Sequence, residues 1–240
     1  MNTQEFSDAF DVLLNSYATE ANFGEGASRK TITLDEYEKS VFLTRAQEAL
    51  VEEFYSGRNV FGESFESTEE FRRSLGNLIV TTEILQDTTY QGKLLTPDSK
   101  AFKLPDDLWL ITYEAVTVNS TNTCLNNKVI KVVPVTQDEF SKIKENPFRC
   151  PSIRQIPRLD LNSKEVELIC PYSVGKYTLR YLKELSPIVL EDMPDGLSIN
   201  GVSQKTECML IPSIHSFILE RAVRMAFQSR MMVSGERETK

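Results

Sequence analysis

A single histidine, His215, is the chain's only side chain whose ordinary titration falls near neutral pH. One imidazole cannot assemble a histidine-based metal cluster, and no serine or cysteine close to it in sequence offers an obvious nucleophile to activate. His215 therefore reads as a structural or interfacial residue. Acidic doublets occur at Glu52-Glu53, Glu69-Glu70, Asp106-Asp107 and Glu191-Asp192. Two carboxylates divide acid and base roles only when they face each other across a substrate, which adjacency along a chain does not provide. Ser141 and Lys144 satisfy SxxK without the companion motifs of that hydrolase class. In residues 24–31 the lysine follows Arg29, whereas a phosphate-cradling loop needs glycine at that place. The triplet Asn119-Ser120-Thr121 matches a glycosylation acceptor and reads as a polar turn. Cys124, Cys150, Cys170 and Cys208 contain no CxxC pair, and the expectation is buried, reduced thiols. These residues assign no catalytic, cofactor-binding or metal-binding role, and no cofactor is expected.

Composition narrows the classes further. A formal net charge of −8 repels a phosphate backbone, which argues against a dedicated nucleic-acid-binding surface but is compatible with a passive channel wall. No apolar run approaches the roughly 18–20 residues that span a bilayer. The opening MNTQEFSDAF has no basic segment followed by an apolar one, so the expectation is a protein made and kept in a cytoplasm. At 240 residues the chain can hold one large domain or two small ones.

The elements that would position any functional side chain follow from periodicity. Phe6, Phe10, Leu13, Leu14 and Tyr17 have helical spacing within residues 4–17. A second helix is predicted over 34–56, with Thr33 as N-cap, an apolar face through Tyr37, Val41, Phe42, Ala46, Ala49, Leu50 and Phe54, and Gly57 as C-terminal cap. Ser67 and Glu70 suggest a capping box for a third helix over 68–84. The period then changes. Residues 108–118 and 128–135 are rich in β-branched and aromatic side chains around a polar turn, which predicts a hairpin, with Pro134 at an edge or a strand end. Thr136 and Glu139 form a capping box for a short helix stopped by Asn146-Pro147. Residues 165–170 and 176–182 are two further extended runs. A final helix, capped by Ser213, carries Ile214, Phe217, Ile218, Ala222 and Met225 toward a core.

The expected fold class is α+β: an N-terminal three-helix region plus the C-terminal helix forming a bundle, with an inserted β-rich segment. The expected division is a helical region over 1–95 completed by 212–230, a β-rich segment with a short helix over 96–211, and a flexible or partner-ordered tail over 231–240. The apolar pair Met231 and Met232 just past the last helix, with Arg230, Arg237 and Lys240, makes this exit the suspected partner interface.

Three stretches carry a family resemblance: FSDAFDVLLNSY at 6–17, LDEYEKSVFLTRAQEALVEEFYSGRNVFGESFESTEEFRRSL at 34–75, and YLKELSPIVL, LSINGV and IPSIHSFILERAVRMAF between 181 and 227. Together they resemble the head-to-tail connector (ring) virion structural proteins of crAss-like podoviruses infecting Bacteroidales. The resemblance implies a non-enzymatic, dodecameric ring of identical copies. Its implied partners are the portal protein and adjacent tail or ring proteins, with genomic DNA passing through the lumen without sequence-specific binding and with no membrane. It places the protein in the virion, at the head-tail junction or in the tail, assembled in the host cytoplasm. A head-decoration or cargo protein, and a host-takeover enzyme or regulator, are the alternative readings.

Overall fold

The computed structural model describes residues 1–21, 33–57, 65, 68–120, 126–145, 154–194 and 196–238. Along the chain the elements are α1 (Thr3–Ala21), α2 (Glu36–Ser56), α3 (Glu69–Ser74), β1 (Ile79–Ile84), β2 (Ser99–Lys103), β3 (Leu108–Asn119), β4 (Lys128–Pro134), α4 (Gln137–Glu145), β5 (Gln155–Asp160), β6 (Glu165–Ile169), β7 (Ser173–Lys183) and α5 (His215–Glu238). They form two compact units. One joins Met1–Leu78 to Leu185–Lys240, and the other is the continuous stretch Ile79–Glu184.

In the helical unit, α1 starts on a reciprocal cap: the Glu5 amide donates to Asn2 Oδ1 at 2.8 Å and the Asn2 amide to Glu5 Oε2 at 2.9 Å. Its buried stripe is Phe6, Phe10 and Leu14. The N-cap of α2 is Asp35, two residues beyond the expected Thr33, because the Asp35 carboxylate accepts from the Glu38 amide at 2.7 Å. Gly57 ends this helix in the left-handed region, at φ 70°, as its glycine identity predicts. α5 opens through a 3-10 turn, Pro212–Ile214, whose cap position is Ile211 and not Ser213. Pro212 suits that first turn because it has no amide hydrogen to leave unpaired. Both α1 and α2 pack on α5, with Tyr17 against Phe227 (ring centroids 6.3 Å apart) and Arg221 bonded to Glu53.

The buried side of α2 differs from the apolar face expected of it. Leu43, Ala46, Leu50 and Val51 are buried, but so are Ser40, Thr44 and Gln47, while Tyr37 is exposed. These three polar side chains hold an extended segment, residues 186–190, by its backbone. Ser40 Oγ accepts from the Leu190 amide at 3.0 Å; Thr44 Oγ1 accepts from the Ile188 amide at 3.1 Å and donates back to its carbonyl at 3.3 Å; Gln47 Nε2 donates to the Ser186 carbonyl at 3.0 Å. Val189, between Ile188 and Leu190, bridges to Thr206 by backbone bonds, and the amides of Ile188 and Leu190, which point the other way, are satisfied by this ladder.

The second unit is a mixed sheet of order β1-β7-β3-β4-β5-β6-β2. The predicted β3–β4 hairpin is present, antiparallel, with Val116 opposite Ile130. β4 and β5 are parallel neighbours, joined through α4, and Pro134 lies at the terminus of β4 opposite Arg158. The capping box of α4 is made as expected: the Thr136 amide donates to Glu139 Oε2 at 3.0 Å and the Glu139 amide to Thr136 Oγ1 at 3.3 Å. Register alternation puts Val116, Ile130, Ile156, Val166, Leu168, Tyr177 and Leu179 into one core with Phe102. On the opposite face, Phe140 of α4 covers Leu159 and Ile169. The sheet curls into a half-barrel, and just past β1 a bridge from Gln86 to Phe102 of β2 links its two edges.

This architecture corrects the expected bundle with an inserted β-rich segment. The third helix ends at Ser74, and the β-branched run that follows it, Ile79-Val80-Thr81-Thr82, pairs with β7 instead of continuing to residue 84. Six residues of α3 are too short to form a bundle arm, and the side of α2 that a bundle would cover with a helix receives residues 186–190. The strands form a curled seven-stranded sheet with its own core, and the helices do not make the core bundle expected.

Candidate interaction surface

The residues that suggested chemistry are placed by structural work. His215 is 5% exposed, at the first position of α5, and packs on Phe6 with ring centroids 5.2 Å apart. Its Nε2 lies 3.0 Å from the Leu210 carbonyl, which can only accept, so Nε2 carries the hydrogen and Nδ1 accepts from the Met1 amine at 2.8 Å. Burial lowers the imidazole's proton affinity, the Leu210 hydrogen bond opposes this, and the nearby ammonium adds to the lowering. The acidic doublets do not form facing pairs of carboxylates. Glu53 binds Arg221, Glu69 binds Arg73 at 2.7 Å, Asp106 binds Lys164 at 2.5 Å, Asp107 accepts from the Tyr181 hydroxyl at 2.9 Å, and Asp192 accepts from the Lys205 amide at 2.7 Å. Ser141 donates to the Gln137 carbonyl at 3.1 Å. Cys170 is a buried free thiol and Cys208 a partly buried one, both pushed up by desolvation.

Residues 24–31, Ser67, Thr121, Cys124, Asn146, Pro147, Cys150 and Lys240 lie outside the described residues, as does Cys150's sequence neighbourhood at 146–153. Met231, Met232 and Arg237 fall on the backbone of α5, which runs on to Glu238. Arg230 forms a two-pronged contact with Glu38, 3.1 Å to each carboxylate oxygen, which ties the last helix to α2.

Two buried ionic groups escaped the sequence reading. Lys39, 3% exposed, donates to Asp11 at 2.7 Å, Glu36 at 2.9 Å and Ser7 at 3.0 Å. Burial alone would lower its affinity for the proton, but the two carboxylates outweigh burial and hold the ammonium above its ordinary value. In the sheet, Arg158 binds Glu114 at 2.5 Å while the Tyr177 hydroxyl donates to the other Glu114 oxygen at 2.9 Å. Desolvation raises Glu114 despite the opposing pull of Arg158 and Tyr177, and it raises Tyr177 strongly. These three residues share the core face of their strands, Tyr177 within the core itself, and tie β3, β5 and β7 together.

What reaches solvent is a different set. Phe217, expected on the core stripe of α5, is 59% exposed; the buried stripe is Ile218, Leu219, Ala222, Val223 and Ala226. The helix is rotated so that Phe217 borders an open groove of about 530 Å³, shared with Glu69, Glu70 and Arg73 of α3 and with Ile211 and Ile214. In the sheet unit, register places Tyr113, Thr117, Lys131, Val129 and Arg180 on the face opposite the core, where Tyr113 is 44% and Val129 59% exposed. Among the described residues, no group of three or more His, Cys, Asp or Glu side chains could hold a metal ion, and no helix is long and apolar enough to cross a membrane.

Phe217 and Tyr113 thus stand exposed, one in each unit. The model of the family described as phage tail ring protein 3/4 matches residues 1–238. The chain is 48% identical to Ring protein 3 of Bacteroides phage crAss001 over 241 residues, covering 99% of this chain and 100% of that protein. It is also 32% identical to Ring protein 4/5 of the same phage over 248 residues, 98% of each chain. The chain belongs to the phage tail ring protein 3/4 family of crAss-like phages.

Proposed function

We propose that this protein is a virion structural subunit that assembles with copies of itself into a ring between portal and tail, and that the ring surrounds the path of the exiting genome. The observation that carries the reading is the match to a tail ring family along residues 1–238, supported by near end-to-end similarity to Ring protein 3. The role is assembly rather than catalysis. The net charge of −8 suits a conduit wall that DNA passes without adhering, because an acidic lining repels the phosphates. A ring of identical copies needs two different complementary faces on each subunit, and the exposed aromatic surfaces on the two units supply candidates for both. Assembly takes place in the host cytoplasm, in dodecameric form, and residues 230–240, with Arg230, Met231, Met232, Arg237 and Lys240, engage the portal or the next ring.

Negative-stain microscopy of the purified protein, alone and mixed with its portal, tests this directly. Closed rings that stack on the portal are the expected result. A monodisperse monomer that ignores the portal at every concentration would sink the reading. Truncation after Arg230 tests the tail assignment: portal binding should drop, and unchanged binding removes the tail from the interface.

A further inference from the structure

We propose that the ring contact is made by the groove between α3 and α5 of one copy receiving the outer face of the β3–β4–β7 sheet of the next copy. This rests on the ring reading above and says which surfaces close it. Each side carries what the other lacks. In the groove, Phe217 stands exposed beside Ile211 and Ile214, and Glu70 at the rim has no cationic partner among the described residues, whereas Glu69 is held by Arg73. On the sheet face, Lys131 and Arg180 have no carboxylate partner among the described residues, while the neighbouring Lys176 is neutralised by Glu83 at 2.7 Å.

The register fixes the layout of that face. Arg180 lies opposite Tyr113, Lys131 opposite Ala115 and Val129 opposite Thr117, so two cations flank an apolar centre containing one aromatic ring. Ala115, between them, is covered by its neighbours, so Tyr113 and Val129 are the apolar side chains this face offers to solvent. A protruding phenyl ring set beside a carboxylate fits such a surface: Phe217 packs against Tyr113, the Arg180 guanidinium lies against its ring, and Glu70 meets Lys131. The two surfaces are unlike, so the contact is heterologous and can propagate around an axis, which an isologous patch cannot do. Arginine and aromatic side chains at the middle of such a contact are the residues that dominate association energies.

Charge reversal on the full-length protein tests it, read by sedimentation velocity and negative stain. Glu69→Lys with Glu70→Lys sets cations against cations, and Lys131→Glu with Arg180→Glu sets carboxylates against carboxylates. Each pair should reduce the ring-sized fraction at least tenfold, and the four changes together in one chain should restore it. Val129→Glu, a change at an exposed position, gives a second arm: it should weaken rings of otherwise wild-type chain and be tolerated beside the groove reversal. Circular dichroism identifies any variant that has lost its fold, and rescue by the combined chain cannot come from misfolding. Intact rings in both reversed variants overturn this pairing of faces and leave the ring reading standing. A wild-type chain that never forms rings overturns the ring reading, and this inference falls with it.

Discussion

His215 shows how a residue type that suggests catalysis can be occupied elsewhere. The free imidazole titrates near 6.5 and the folded one below that value, so the unfolded chain takes up the proton first. Stability is therefore full above about pH 6.5 and is lost as pH falls through the folded value, by linkage. Urea midpoints measured from neutral to mildly acidic pH should decline for the wild type and decline less for His215→Gln; parallel curves would rule the assignment out. Glu114 and Arg158 make a stronger case of burial. Glu114→Gln leaves the guanidinium facing a neutral amide, with Asp160 at 3.4 Å and largely exposed, and should cost about 2–4 kcal/mol in chemical denaturation. Replacing the pair together, Glu114→Leu with Arg158→Met, should recover most of that loss, since a packed apolar pair rivals a buried ionic one. Neither Glu114 nor Lys39 was legible in sequence, because a charged residue in an alternating or helical pattern looks solvated until its partner, far along the chain, is known. Phe217 failed in the opposite direction: it fits the helical stripe, but burial favours its neighbours Ile218 and Leu219 once α1 and α2 fix the rotation of α5.

Local signals in the elements survived where the interaction itself is local. Gly57 and the Thr136–Glu139 box depend on residues within one turn, and both do what their types suggest. β1 was hidden because Phe71, Leu75, Leu78 and Ile79 also satisfy a helical period; the β-branched run at 79–82 was the available signal against it. The parallel pairing of β4 with β5 depends on contacts no local pattern encodes. The polar ladder of α2 was equally invisible, since Ser40, Thr44 and Gln47 sit at positions that would ordinarily face water. It makes a sharp prediction. Thr44→Val keeps the shape of the side chain but strips both bonds from Ile188, so it should destabilise the protein by about 1–3 kcal/mol. Hydrogen exchange should accelerate at the Ile188 amide, with a smaller effect at Leu190, which Ser40 still holds. Unchanged protection at Ile188 would mean that the ladder does not hold the segment.

At the scale of the whole molecule, the sheet unit is one uninterrupted stretch, Ile79–Glu184, placed inside the sequence of the other. Its first and last strands are antiparallel neighbours, with Ile79 opposite Leu182, so the points where the chain enters and leaves lie side by side. An insertion with adjacent ends can be excised without tearing its own fold. Residues 79–184 expressed alone should give a folded domain with dispersed amide resonances and a cooperative melt, and a collapsed or aggregated product would contradict this. Sequence reading found the strand-rich middle and the capped helices but drew the wrong architecture from them, because the pairing of β1 with β7 joins residues at opposite ends of the insertion. That same pairing has a mechanical meaning. A load that draws residues 79 and 184 apart acts across the ladder, not along it, so the β1–β7 hydrogen bonds would open one after another, like a zipper pulled from its end. Strands loaded along their length would have to break together. Under such a load, the weakest direction of the sheet unit is set by where the chain enters and leaves it.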